Sequence, residues 1–157
     1  MSKKSADSSG PTFWLDLFTG TTWKEFLDAG ACVSGFRKTR ASLAKQIVPG
    51  DILLCYVTGI QRWVGALEVL GPSTDRSDIW SIDDFPVRFS VKPLITMDPT
   101  TGIPMSHLAS KVYFYESAED KGKFKGFVRS SPNRFHDNRD GERILTMRDQ
   151  CWIEHCQ

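Results

Sequence analysis

Residues 32–70 read CVSGFRKTRASLAKQIVPGDILLCYVTGIQRWVGALEVL, and the rest of the chain is organised around them. Cys32 and Val33 read as the end of a strand. Ser34-Gly35-Phe36-Arg37 breaks that strand and exposes an aromatic ring and a guanidinium. Arg37, Lys38, Arg40 and Lys45 then crowd one short helix, whose apolar stripe is Leu43, Ala44 and Ile47. Pro49-Gly50-Asp51 stops it, because proline cannot continue a helix and glycine tolerates the turn. Residues 51–57 are an apolar run suited to a buried strand. Thr58-Gly59-Ile60-Gln61 is the turn, and residues 62–70 run back as the hairpin partner.

Working outward, residues 1–11 are polar and end in Gly-Pro, which predicts a disordered tail before a single domain over residues 12–157. Residues 12–18 (TFWLDLF) open the fold as a strand. Phe13, Leu15 and Leu17 point to one side, and Trp14, Asp16 and Phe18 to the other. Thr22-Trp23-Lys24-Glu25 has the pattern of a capping box, with the helix ending near Gly30. Beyond the hairpin, Ile79-Trp80 is an apolar island in polar sequence, and residues 85–94 read as a strand with Pro86 near its start. The far edge of that strand is available to a second subunit, which allows a monomer or a weak dimer. Residues 104–108 begin a short helix, and residues 112–115 fit either helix or strand. Residues 122–129 (GKFKGFVR) read as a short basic strand. Residues 142–150 form the last helix, with Ile144, Leu145, Met147 and Arg148 shaping its inner face.

Twenty basic residues balance nineteen acidic ones, so net charge alone predicts no polyanionic partner. The distribution says more. Residues 37–45 hold four cations and no acid, and residues 121–143 hold Lys121, Lys123, Lys125, Arg129, Arg134, Arg139 and Arg143 against three acids. On a shared face these segments attract phosphate; on separate faces they are ordinary solvated surface. No apolar run approaches the roughly 20 residues of a membrane helix, and no apolar leader opens the chain. No membrane partner and a cytoplasmic location are therefore expected.

Catalytic signatures are missing. There is no G-x-S-x-G, no H-E-x-x-H and no phosphate-cradling glycine loop. Asp83-Asp84 reads better as an acidic loop than as a catalytic pair. No enzyme and no cofactor are expected. Cys32 and Cys55 read as small core side chains, and Cys151, His155 and Cys156 lack the spacing of a zinc site. What remains is aromatic: Trp14, Trp63 and Trp80 fall on or beside strands near Phe36 and Phe85. Each ring alone is ordinary core. Together, flat rings beside cations suit a nucleobase.

Strands outnumber helices, which gives an α+β fold: a small twisted β-barrel of about five or six strands flanked by helices. Residues 34–40 (SGFRKTR), 48–56 (VPGDILLCY), 63–69 (WVGALEV) and 84–91 (DFPVRFSV) resemble, in order and spacing, the EVE domain of the PUA-like superfamily. That group is related to YTH and ASCH domains. The resemblance implies a PUA-like barrel that holds a flipped, methylated or hydroxymethylated base such as 5-methylcytosine, in DNA or RNA. It implies a base pocket at Phe18, Thr19, Ser34, Gly35, Phe36, Tyr56, Thr58 and Trp80. Thr19 and Ser34 would face the base edge, and Phe36, Tyr56 and Trp80 would stack. Arg37 would meet a phosphate or the base, and Lys38, Arg40 and Arg129 of the basic segments would join it in holding phosphates. Many EVE domains carry a tryptophan where this chain has Ser34. Cleavage, if any, would fall to a partner nuclease, and a methyltransferase is another possible partner. Two further readings stand beside this one: a PUA-like RNA-binding module without base specificity, and a small ASCH-like enzyme.

Overall fold

The computed structural model describes residues 10–116 and 121–156, the side chains of 121 and 148–156 excepted. Most of the N-terminal tail thus lies outside the described residues, as do the side chains of Arg148, Cys151, Trp152, His155 and Cys156. The fold is α+β: one mixed sheet curled into a half-barrel and flanked by helices. Its strands are β1 (Phe13–Phe18), β2 (Val33–Phe36), β3 (Ile52–Val57), β4 (Arg62–Pro72), β5 (Val87–Thr96), β6 (Ile103–Pro104) and β7 (Asn133–Arg134). Their spatial order is β2-β5-β4-β3-β1-β7, with β6 also on β4. The helices are α1 (Gly20–Asp28), α2 (Ala41–Ala44), α3 (Lys121–Phe127) and α4 (Asn138–Cys156).

β1 and β3 pair in parallel, Phe13 opposite Ile52 and Phe18 opposite Val57. A parallel pair inside a sheet is covered on both faces, which explains why all six residues of β3 are apolar and buried. The alternation along β1 sorts its side chains into two cores. Phe13 and Leu15 join Leu54, Tyr56, Trp63, Phe114, Phe135 and Ile144 beneath α3 and α4. Trp14 and Phe18 join Trp23, Phe26, Leu53, Cys55, Phe36 and Phe89 beneath α1. The chain therefore buries both faces of β1.

Two motif residues prove to be packing devices. Asp51, fully buried, accepts from the backbone N–H groups of Thr12 (3.3 Å) and Val48 (3.1 Å) and from Trp14 Nε1 (3.0 Å). It ties the Pro-Gly-Asp turn, where Gly50 has φ +94°, to the start of β1. Gly65 leaves room for the Trp23 ring: a Cβ there would stand 2.8 Å from Trp23 Cη2 and from the Ile95 carbonyl oxygen. Trp23 Nε1 then reaches the Met97 carbonyl at 3.0 Å.

Several expectations are corrected. Helix α1 begins three residues early, because Thr19 is its N-cap and Thr22 completes the reciprocal box at 2.8 and 3.1 Å. The basic segment is a 3₁₀ turn (Lys38–Arg40) followed by one turn of α2, not one continuous helix. Residues 122–129 are mostly helical: Phe124 and Phe127, three apart, pack on Tyr115 and Phe114, and that face outweighs the Lys/Gly alternation. Residues 112–115 form a turn closed by a bridge between Val112 and Tyr115. Cys32 is exposed just outside β2, whereas Cys55 is core. β5 is no free edge at residues 89–90, which pair with both β2 and β4, while 87–88 pair with β2.

β2 ends the sheet on one side and β1 lies near the other end, so no backbone ladder joins them. A side-chain bond does. Ser34 Oγ donates to Asp16 Oδ2 at 2.5 Å, both residues being buried. Burial pushes the Asp16 carboxyl up to about 7, with the Ser34 hydrogen bond pulling the other way. The sign follows. Between the ordinary value of 3.8 and about 7 the folded chain keeps a proton that the unfolded chain has released. Stability is therefore greatest at low pH as far as this group is concerned, and falls by about 1.4 kcal/mol per pH unit across that window. Urea midpoints at pH 5 and pH 7 test this: Asp16→Asn should flatten the decline, and an unchanged slope in the variant refutes it.

Candidate nucleic-acid interface

Just past the Asp16–Ser34 bond the two strands part. Leu17 and Phe18 continue one wall, Gly35 and Phe36 the other, and a cavity of about 480 Å³ opens between them. That volume lies within the range of small-ligand sites. Phe18, at the end of β1, is held edge-on against Trp23 with ring centres 5.0 Å apart. Phe36 is held against Phe89 at 6.1 Å. Both rings are buried in the second core, so the apolar part of the cavity is rigidly backed.

The third aromatic is Phe85, on the segment between β4 and β5. This segment crosses β2 at Gly35, where a Cβ would stand 2.8 Å from the Phe85 carbonyl oxygen and 2.9 Å from its Cβ. Trp80 lies behind it, edge-on to Phe85 at 5.2 Å, with Nε1 donating to the Thr22 carbonyl at 3.3 Å. Ser81 fastens the same segment to α1 through Glu25 Oε2, at 2.5 Å from its hydroxyl and 3.2 Å from its amide.

Arg37, Arg40 and Arg129 reach the cavity from two segments far apart in sequence, with Asp83 as the one acid at its wall among the described residues. Arg37 makes a two-pronged pair with Asp83, at 3.3 and 3.1 Å, and its guanidinium lies 5.3 Å from the centre of the Phe85 ring. Arg40 Nη2 donates to the Pro132 carbonyl at 2.8 Å. Ser131 Oγ accepts from the Leu17 amide at 3.1 Å, which brings the 129–131 segment against β1. The two basic stretches thus contribute to one wall.

Of the residues expected at a base pocket, Phe18, Thr19, Gly35, Phe36 and Thr58 line this cavity, as do Arg37, Arg40 and Arg129 of the phosphate set. Four others do not. Ser34 is fully buried and its hydroxyl is committed to Asp16. Tyr56 faces the first core, 4.8 Å from Trp63. Trp80 backs Phe85, and Lys38 is exposed away from the cavity. Thr19 lines the cavity but its hydroxyl caps α1. Trp14 and Trp63 are enclosed in opposite cores and join no aromatic site. Leu17, Thr22, Thr39, Asp83, Phe85, Ser130 and Ser131 also line the cavity, outside the expected pocket set. Among the described residues, no three His, Cys, Asp or Glu side chains gather as a metal site.

No family model matches the chain, and no curated protein does. Solved structures do resemble it. A structure of the Mmi1 YTH domain superposes with a TM-score of 0.62 at 11% identity, covering 98% of both chains. The Mmi1 YTH domain in complex with RNA gives 0.58 at 12%, covering 93% of this chain and 82% of that one. A hypothetical protein from Leishmania major gives 0.60 at 16%, covering 91% and 98%. At such identities the likeness establishes a shared fold alone, that of the YTH domain.

Gly35→Ala is expected to lower stability by about 1–3 kcal/mol, since the new methyl meets Phe85 backbone that cannot swing aside. Gly20→Ala, with open space around it at the first turn of α1, should be neutral or slightly stabilising. Thermal melts of the two variants check this, and equal melting temperatures would refute the crowding at Gly35.

Proposed function

We propose that the chain is a nucleic-acid-binding module that takes one flipped, modified base into the cavity between β1 and β2. The observation that carries this reading is the cavity itself: Phe18, Phe36 and Phe85 on its walls with three arginines around them. Aromatic faces suit any base, with stacking worth about 1–3 kcal/mol. That range offsets the few kcal/mol needed to take a base out of its stack. The cations favour a phosphate backbone and make the affinity depend on salt. An apolar wall also accommodates a methyl or hydroxymethyl group on the base.

The EVE resemblance supports the same reading and gains a physical detail. Where many EVE domains carry tryptophan, Ser34 sits fully buried against Asp16. Phe85, laid over Gly35, supplies the ring at that wall instead. The fold shared with a YTH domain solved in complex with RNA is consistent with an RNA ligand. Nothing in this reading requires the chain to be an enzyme. A nuclease or methyltransferase would act as a separate partner.

The test is fluorescence anisotropy on short DNA and RNA strands, each with one modified base or none, at two salt concentrations. Expected are tighter binding for one modification and a loss of about 5- to 100-fold for Phe85→Ala. Equal affinity for modified and unmodified strands overturns the modified-base specificity. Binding that is salt-sensitive but indifferent to Phe85 would leave a basic surface acting alone.

A further inference from the structure

The three arginines of the cavity are not equivalent. Arg37 already has its counter-ion, Asp83. Neither Arg40 nor Arg129 pairs with a carboxylate among the described residues. Arg40 is half-buried, and its Nε is enclosed without any hydrogen-bond partner. A guanidinium stays charged at every physiological pH, so its charge cannot be removed by losing a proton. A buried donor on a charged group without a partner costs free energy, and nothing described inside the protein offsets it. Arg40 is also fixed in place, because Nη2 is bound to the Pro132 carbonyl at 2.8 Å. Hydroxyls stand on the same wall. Ser131 Oγ accepts from the Leu17 amide and still has its own proton to donate. Ser130 lies beside it, next to Arg129.

A fixed cation without a counter-ion, flanked by a second cation and two hydroxyls, is a preformed receptor for an anion with several oxygens. We infer that Arg40, Arg129, Ser130 and Ser131 form a phosphate subsite within the cavity, so that the site takes a nucleotide with its own phosphate rather than a bare base. This rests on the base-binding reading above. It gives the site a polarity: phosphate toward Arg40 and Arg129, base toward Phe36 and Phe85. The neutralised Arg37–Asp83 pair stands on the base side. The phosphate has two possible sources, a free nucleoside monophosphate or a linkage in a strand.

Calorimetric titration separates these. The probes are the four nucleoside 5′-monophosphates, the four matching nucleosides and the oligonucleotide preferred in the anisotropy panel. They are tested against wild type, Arg40→Gln and Arg129→Gln. Expected is at least tenfold tighter binding of a monophosphate than of its nucleoside. That gain should be lost in Arg40→Gln and reduced in Arg129→Gln. Dependence on Arg40 for the oligonucleotide alone supports the subsite and assigns the phosphate to a strand linkage. The subsite is overturned if nucleoside and monophosphate bind alike and the oligonucleotide is indifferent to Arg40. Arg129 is exposed, so its variant keeps the test open if Arg40→Gln fails to fold. Loss with Phe85→Ala but not with Arg40→Gln would sink the subsite and leave the base reading standing.

Discussion

A single hydrogen bond, from Ser34 to Asp16, closes the curled sheet where its backbone ladder cannot. Among the described residues β2 pairs only with β5, and β1 only with β3 and β7. The two strand walls of the cavity lie one or two residues beyond this tie. Leu17 and Phe18 leave it on one strand, Gly35 and Phe36 on the other, and the cavity is the space that opens as they separate. The tie also carries a cost. A carboxyl buried in an apolar core with one hydroxyl partner favours its neutral form, so a polar contact is kept in the core at the expense of stability near neutral pH. A close link between two non-adjacent strands is the gain.

Much of this fold is legible in the sequence because its signals are local. The β3–β4 hairpin follows from an apolar run, a four-residue turn and a returning strand, and it forms with Tyr56 opposite Trp63. The two-sided pattern of residues 13–18 correctly sorts the side chains between two cores. The errors arise where tertiary contact overrides local pattern. Residues 122–129 alternate well enough for a strand, yet Phe124 and Phe127 find a core only as a helix. Thr22 looks like a cap because a glutamate follows three residues later. Thr19 takes the cap instead, and Glu25 is drawn away to Ser81.

The cavity was legible only in part, and for a related reason. Its β1 and β2 walls belong to motifs, so Phe18, Gly35 and Phe36 could be named. Its other walls come from segments without regular structure. Asp83 stands in an acidic stretch that reads as loop, and Phe85 reads as the start of a strand that in fact begins at Val87. The one sequence sign of their role is an aromatic residue directly after two aspartates, opposite a glycine that leaves it room. Ser34 was misassigned because a hydroxyl is equally suited to a base edge and to a buried carboxylate. Only the placement of Asp16 decides between them.

The separations in sequence at the cavity carry a consequence for how it is assembled. The β3–β4–β5 meander forms between neighbours in the chain. By contrast, Ser34 meets Asp16 across 18 residues, Arg40 meets Pro132 across 92 and Leu17 meets Ser131 across 114. Closing long loops costs chain entropy before the contacts form, so such contacts come late on a folding pathway. During synthesis the meander has all its residues once residue 96 is made, while one wall of the cavity waits for residues 129–134. A nascent chain thus passes through a stage with much of its sheet in place and no complete binding site. The cavity is completed by the last quarter of the chain, after the motifs that define the fold.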